Sequence, residues 1–323
     1  MHSRIAALLL MSLSFAAPTA FAAVSPSDAR LIALIPAGAQ SVAGIEKPQN
    51  PHGHVLLVTH NNILDTEDWL ALSGVDSRRG VDKLVWVAAS SAGGALKEHL
   101  LLAAGSFDRA HIFAAAKQNG ATSMWYDDIE ALEIRPFARE KDEMHDTRWL
   151  VILDGQIAIF GSPAIVRQAL DRHVAQAPAD PQLLDRLAQL HTDVDSWNAL
   201  RLPSSARDRQ AVLGEFPSAF PPLFDSVSDL LLAVRYGSST HVDFDARVAG
   251  SSHIASAQNL FADPSSPLSA FLDHSRPHVA DFVADSGHVH GSLVLSKKEF
   301  EASLDTLRRM TTPPELVETA AAH

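Results

Sequence analysis

The sequence predicts an α+β protein made of two related halves, each a mostly antiparallel sheet with helices packed on it. Three observations carry that expectation. A unit of apolar strand, serine and helix recurs four times along the chain. In "HVDFDARV", residues 241–248, Val242, Phe244, Ala246 and Val248 alternate with His241, Asp243, Asp245 and Arg247, which is the period of a half-buried antiparallel strand. In "WLVILDGQIAIF", Asp154-Gly155 separates two apolar runs and suits the turn of a hairpin.

The four units follow in order. "HLLLAAGSFDRAHIFAAAKQNG" offers a strand at His99–Ala104, with Ser106 as the expected cap of a helix ending at Gly120. In "IAIFGSPAIVRQALDRH", Ser162 stands as N-cap, Pro163 as first helical residue, and Ile165, Val166, Ala169 and Leu170 as one face. "VDFDARVAGSSHIASAQNLF" is the third unit. In the fourth, "HGSLVLSKKEFEASLDTLRRM", Ser296 and Glu299 make a capping box, and Phe300, Leu304 and Leu307 share a face. "VDKLVWVAAS" precedes the first unit and "VSDLLLAVRYGSST" the third, so each of these reads strand–turn–strand–helix. The expected halves are residues 23–176 and 228–310 (strand-turn-strand-helix units). Residues 177–227 connect them, with a linker at Ala177–Pro181, a short helix at Gln182–Leu190 and a strand at Trp197–Leu202. Pro217, Pro221 and Pro222 break the chain again, and residues 311–323 form a frayed tail.

Residues 1–22 read as a secretory signal peptide. Arg4 precedes an apolar stretch, Ile5 to Ala17, too short to span a bilayer, and Ala20-Phe21-Ala22 is a small-x-small cleavage signal, with the cut between Ala22 and Ala23. No later segment is apolar for long enough to cross a membrane. The expected location is therefore periplasmic or secreted. With no cysteine, the chain has no disulfide, thiolate metal site or cysteine nucleophile. A formal charge of −12 and the lack of a run of Lys and Arg argue against nucleic acid and anionic lipid as partners. The 46% of hydrophobic residues can fill a core.

The chemistry-bearing residues are mostly explained by structure. "NPHGHVLLVTHNN", residues 50–62, places three histidines around an apolar run. Asn50-Pro51 starts a helix, and at about 100° per residue no two of His52, His54 and His60 share its face. His288 and His290 share a face of an expected strand and read as polar residues opposite apolar ones. Pro277 keeps His274 and His278 off one regular helix. Glu140, Asp142, Glu143, His145 and Asp146 crowd one loop but lack the spaced Asp/Asn and Gly of a calcium loop. Ser90 to Gly94, "SSAGG", fits neither a nucleophile elbow nor a phosphate loop, and Gly93-Gly94 serves as a connection. Asp127-Asp128 sits at a turn, and Asp243 and Asp245 alternate on the exposed face of a strand. Trp69, Trp86, Trp125, Trp149 and Trp197 read as core residues. No catalytic, cofactor-binding or metal-ligating residue is assigned.

Leu34-Ile35-Pro36-Ala37, Val42-Ala43-Gly44, Asp76 with Arg78 and Arg79, and Gly105-Ser106-Phe107-Asp108 carry a resemblance. The chain resembles an uncharacterised family of exported, signal-peptide-bearing bacterial proteins with Leu-x-Pro-x-x-Ala, Val-Ala-Gly and Gly-x-Phe-Asp motifs. The likeness runs from about Leu31 to His173 and more faintly beyond. It implies no activity, cofactor or catalytic residue, and the histidines of 50–62 depart from it. The expectation is a non-catalytic exported protein that binds a protein partner or a small-molecule ligand. The alternative is a metal-dependent hydrolase with a site of histidines and carboxylates assembled in space.

Overall fold

The computed structural model describes residues 26–46, 80–90, 96–135, 147–190, 193–205, 208–209, 227–248, 278–285 and 287–302. The order of elements is α1 (Pro26–Leu34), β1 (Ser41–Ile45), β2 (Val81–Ser90), β3 (Leu96–Gly105), α2 (Arg109–Gln118), β4 (Thr122–Tyr126), β5 (Ile129–Ile134), β6 (Arg148–Leu153), β7 (Ile157–Gly161), α3 (Pro163–Val174) and α4 (Pro181–Leu187). Then come β8 (Ser196–Arg201), β9 (Val227–Arg235), β10 (Ser239–Val248), β11 (His278–Asp285) and β12 (His288–Ser296). Residues 297–302 are helical.

All the strands join one 12-stranded sheet in the order β11-β12-β10-β9-β8-β1-β2-β3-β7-β6-β5-β4. This corrects the expected fold class. The chain is mostly β with one continuous sheet, not two α+β halves with a sheet each. The reason is the pairing of β1, which binds β2 along one edge and β8 along the other, antiparallel to both. β8 corresponds to the strand expected within the connecting segment, and it fills the centre of the sheet between β1 and β9. Gly44 lets the two central strands close up. It pairs with Trp197 in register, and a Cβ at Gly44 would collide with the Trp197 indole. The indole N–H donates to Glu46 Oε1 at 3.0 Å.

Alternation along the strands gives the sheet two apolar faces. Val42, Val85, Val87, Leu100, Leu102 and Ile159 lie on one, under Leu31 and Ile35 near α1, the apolar stripe of α3, and Leu183 and Leu187 of α4. Trp86, Leu101, Leu132, Leu150, Ile152 and Phe160 lie on the other, under Ile112, Phe113 and Ala116 of α2. The α3 stripe is the expected one, with Ile165, Val166, Ala169 and Leu170 all buried.

Two hairpins turn as the sequence predicts. Asp154 and Gly155 both have positive φ and are closed by Gln156 N–H donating to Leu153 O at 3.0 Å. Asp127 and Asp128, also at positive φ, form the two-residue turn between β4 and β5. The capping box holds as well. Ser296 N–H donates to Glu299 Oε2 at 2.7 Å, and Glu299 N–H donates to Ser296 Oγ at 3.3 Å.

Of the serines in the first two units, Ser162 stands at the expected N-cap position and Ser106 does not. The N-cap of α2 is Asp108, which accepts from His111 N–H at 3.0 Å, and not Ser106. The N–H groups of Gly105, Ser106 and Phe107 still donate to the backbone of Gln156, Gly80 and Gly155, so the helix starts later. Ser162 is the N-cap of α3 by position, but its hydroxyl donates to Glu98 and not to the helix. The helix expected after β10 and the face residues Leu304 and Leu307 lie outside the described residues.

Candidate functional site

Several sequence-level candidates also lie outside the described residues: the cleavage position Ala22–Ala23, His52, His54 and His60, the Glu140–Asp146 cluster, His274 and Trp69. Of the other tryptophans, Trp86, Trp149 and Trp197 are core residues, whereas Trp125 is 67% exposed on the edge strand β4 and so corrects that expectation.

One group of candidates does come together. Asp245 stands near the end of β10, opposite His290 of β12 and Leu231 of β9. The period of two puts His288, two residues before His290, on the same face. The two imidazoles stack, with centroids 5.8 Å apart and planes 8° from parallel. His290 Nδ1 lies 2.5 Å from Asp245 Oδ2 and His288 Nδ1 lies 3.6 Å from it.

The expectation that Asp243 and Asp245 both sit on an exposed strand face is corrected for Asp245, which is only 7% exposed. Helix α4 covers it. Asp180 caps this helix by accepting from Gln182 N–H at 2.9 Å, and Pro181 takes its first position. Leu183, Arg186 and Leu187 lie on one face at i, i+3 and i+4, and all three are buried against the sheet. A guanidinium on the apolar face of a helix must meet anions, because an unpaired buried charge costs several kcal/mol. Arg186 meets two. Its Nε lies 3.0 Å from Asp229 Oδ1, its Nη1 pairs with Asp245 Oδ1, and its Nη2 donates to the Asp245 carbonyl at 3.1 Å.

The charges do not cancel within this set. One guanidinium faces two carboxylates, which leaves one negative charge when both imidazoles are neutral. Asp245 Oδ2 has no hydrogen-bond partner among the described residues although its side chain is nine-tenths buried. Asp243, the neighbouring carboxylate, is satisfied: Ser292 Oγ donates to it at 2.7 Å and Arg235 Nη2 at 3.2 Å.

Beside this centre opens a cleft of about 370 Å³. Gln189 and Leu190, just past α4, form one wall. Leu231 and Ala233 give an apolar floor, and Asp245, His290 and Ser292 form the polar end. Two other partly buried groups are perturbed away from the cleft. Burial, then the nearby Arg148 charge, holds the His99 imidazole down at about 4 as it stacks on Trp86. Burial pushes the Tyr236 phenol up to about 12.

Arg186 and Asp229 were missed in the sequence. The only available signal was the i, i+3, i+4 spacing of Leu183, Arg186 and Leu187, which puts a cation on an apolar stripe. Comparison with protein-family models, with curated proteins and with solved structures finds no match for the chain. No helix among the described residues is long and apolar enough to cross a membrane.

Proposed function

We propose that the protein is an exported, non-catalytic binding protein whose small-molecule ligand occupies the cleft between the end of α4 and strands β9, β10 and β12. Export rests on the N-terminal sequence alone. The observation that carries the binding reading is the cleft's composition: an apolar floor of Leu231 and Ala233 runs into a polar end where a buried carboxylate oxygen is left without a donor. Small-molecule sites combine an apolar wall with a few fixed polar groups in this way. The ligand class is a molecule with an apolar body and a polar head directed at Asp245 and His290.

Titration with the neutral solvatochromic dye Nile red tests the cleft. The expected result is a saturable one-to-one fluorescence rise that is lost in Ala233→Trp, where the indole fills the floor. A dye that does not saturate, or one that binds the folded variant equally well, contradicts the proposal.

A further inference from the structure

We infer that His288 Nδ1, His290 Nδ1 and Asp245 Oδ2 form a binding site for one divalent transition-metal ion of the zinc type, with a fourth coordination position open to the cleft. The three ligand atoms all lie within 4.8 Å of one another. Two imidazole nitrogens and a carboxylate oxygen are a common donor set for such an ion, and three protein ligands leave one tetrahedral position free.

A second observation points independently to a cation. Asp245 Oδ2 is the orphaned acceptor described above, nine-tenths buried and within 3.6 Å of a nitrogen of each ring. His290 Nδ1 comes within 2.5 Å of it, yet off the line of a hydrogen bond. A carboxylate oxygen and two imidazole nitrogens gathered at one point are donors that a single cation can share. A dication also reverses the sign of the surplus charge left by one guanidinium facing two carboxylates.

Closing the three atoms around one ion needs side-chain adjustment. With bonds of about 2.0–2.1 Å, neighbouring ligand atoms round a tetrahedral ion stand about 3.3 Å apart. The 3.6 Å between His288 Nδ1 and Asp245 Oδ2 is already near that. His290 must draw back by about 0.8 Å from its present contact to reach the same spacing. Its side chain is 52% exposed, which leaves it room on the solvent side. Arg186 holds the other oxygen of Asp245 and fixes the carboxylate, as supporting contacts of metal ligands do. Asp245 and His290 both line the cleft, so the fourth position faces it. That last step rests on the binding reading above; the metal site itself does not.

The test is calorimetric titration of Zn²⁺ into the full chain after chelator treatment, with no organic ligand present, and with the visible spectrum of the Co²⁺-loaded protein as a second readout. The expected result is one equivalent bound, with Co²⁺ absorption of tetrahedral intensity. His288→Ala and His290→Ala each lower affinity at least tenfold while the metal-free thermal midpoints stay at the wild-type value. Asp245→Asn keeps a hydrogen bond to Arg186 and is expected to lose affinity likewise. If Asp245→Asn does not fold, the two histidine variants, both on solvent-accessible side chains, decide the matter. Absence of a one-equivalent site, or zinc affinity unchanged in the double histidine variant, overturns the inference. In a chain with 16 histidines the second outcome places the ion elsewhere. Dye binding in the cleft without zinc binding would leave the cleft reading standing and remove only the metal.

Discussion

Arg186 grips Asp245 twice, through one carboxylate oxygen and through the backbone carbonyl, and so fastens helix α4 to strand β10 across 59 residues of chain. It also reaches Asp229 on β9. Replacing it by Met keeps the length and apolar stem but leaves the buried Asp245 and the partly buried Asp229 without their cation. We expect Arg186→Met to lose about 3–5 kcal/mol, the usual cost of breaking a buried ion pair from one side. Urea denaturation at neutral pH measures this. A loss below about 1 kcal/mol, the scale of exposed pairs, would mean that the cluster is solvated.

His99 makes stability depend on acid. Its native pKa is about 4 against an ordinary 6.5, because burial and Arg148 both disfavour the charged ring. Between those values the unfolded chain takes up a proton that the folded protein refuses, so stability falls as pH falls through 6.5 towards 4. By pH 4 this one group accounts for a loss of about 3 kcal/mol. His99→Gln should flatten that part of the stability profile. An identical slope in the variant would show that the imidazole titrates freely in the native state.

The chain has only two tyrosines, and the native environment raises both phenols. A hydrogen bond to Asp171 acts first on Tyr126, and burial lifts Tyr236 to about 12. Ultraviolet titration of the native protein should therefore show less phenolate at pH 10 than urea-unfolded protein, which is half ionised there. The sign runs opposite to that of His99: between pH 10 and 12 the folded state holds the Tyr236 proton more firmly, so stability declines as pH rises. Tyr236→Phe should remove the transition near pH 12. A native curve that overlays the unfolded one would contradict the packing around Tyr236.

Gly44 is where the sheet's two sides meet. Its partner Trp197 lays its indole over the missing side chain, so Gly44→Ala forces the indole or the strand aside. Overpacking of this kind costs about 1–3 kcal/mol. Thermal denaturation should register that loss together with altered tryptophan fluorescence. A neutral effect would show that β1 and β8 do not pack as described.

Local patterns were legible wherever their cause was local. The alternation of β10 and β12, the turns at Asp154-Gly155 and Asp127-Asp128, the α3 stripe and the Ser296–Glu299 box all depend on residues a few positions apart. Ser106 misled because a cap is decided by where the preceding backbone pairing stops. Phe107 is still bonded to Gly155, so Asp108 takes the role that Ser106 was expected to fill. The single sheet was illegible for a different reason. Pairing β1 with β8 joins segments about 150 residues apart, and no periodicity within either strand encodes its neighbour. The site follows the same rule. His288 and His290 were visible as a pair on one strand face, but Asp245 read as exposed because the helix that covers it lies far away in sequence.

The central feature of the molecule is the metal site inferred at the buried Asp245 carboxylate, where α4 meets β9, β10 and β12. Anomalous scattering at the zinc edge, from crystals of chelator-treated protein regrown with one equivalent of Zn²⁺, tests it most directly. The predicted result is one strong peak about 2.0–2.2 Å from His288 Nδ1, His290 Nδ1 and Asp245 Oδ2, with Arg186 on the opposite carboxylate oxygen. A peak bound to other residues, or ordered Asp245 and imidazole side chains with no peak between them, would contradict it.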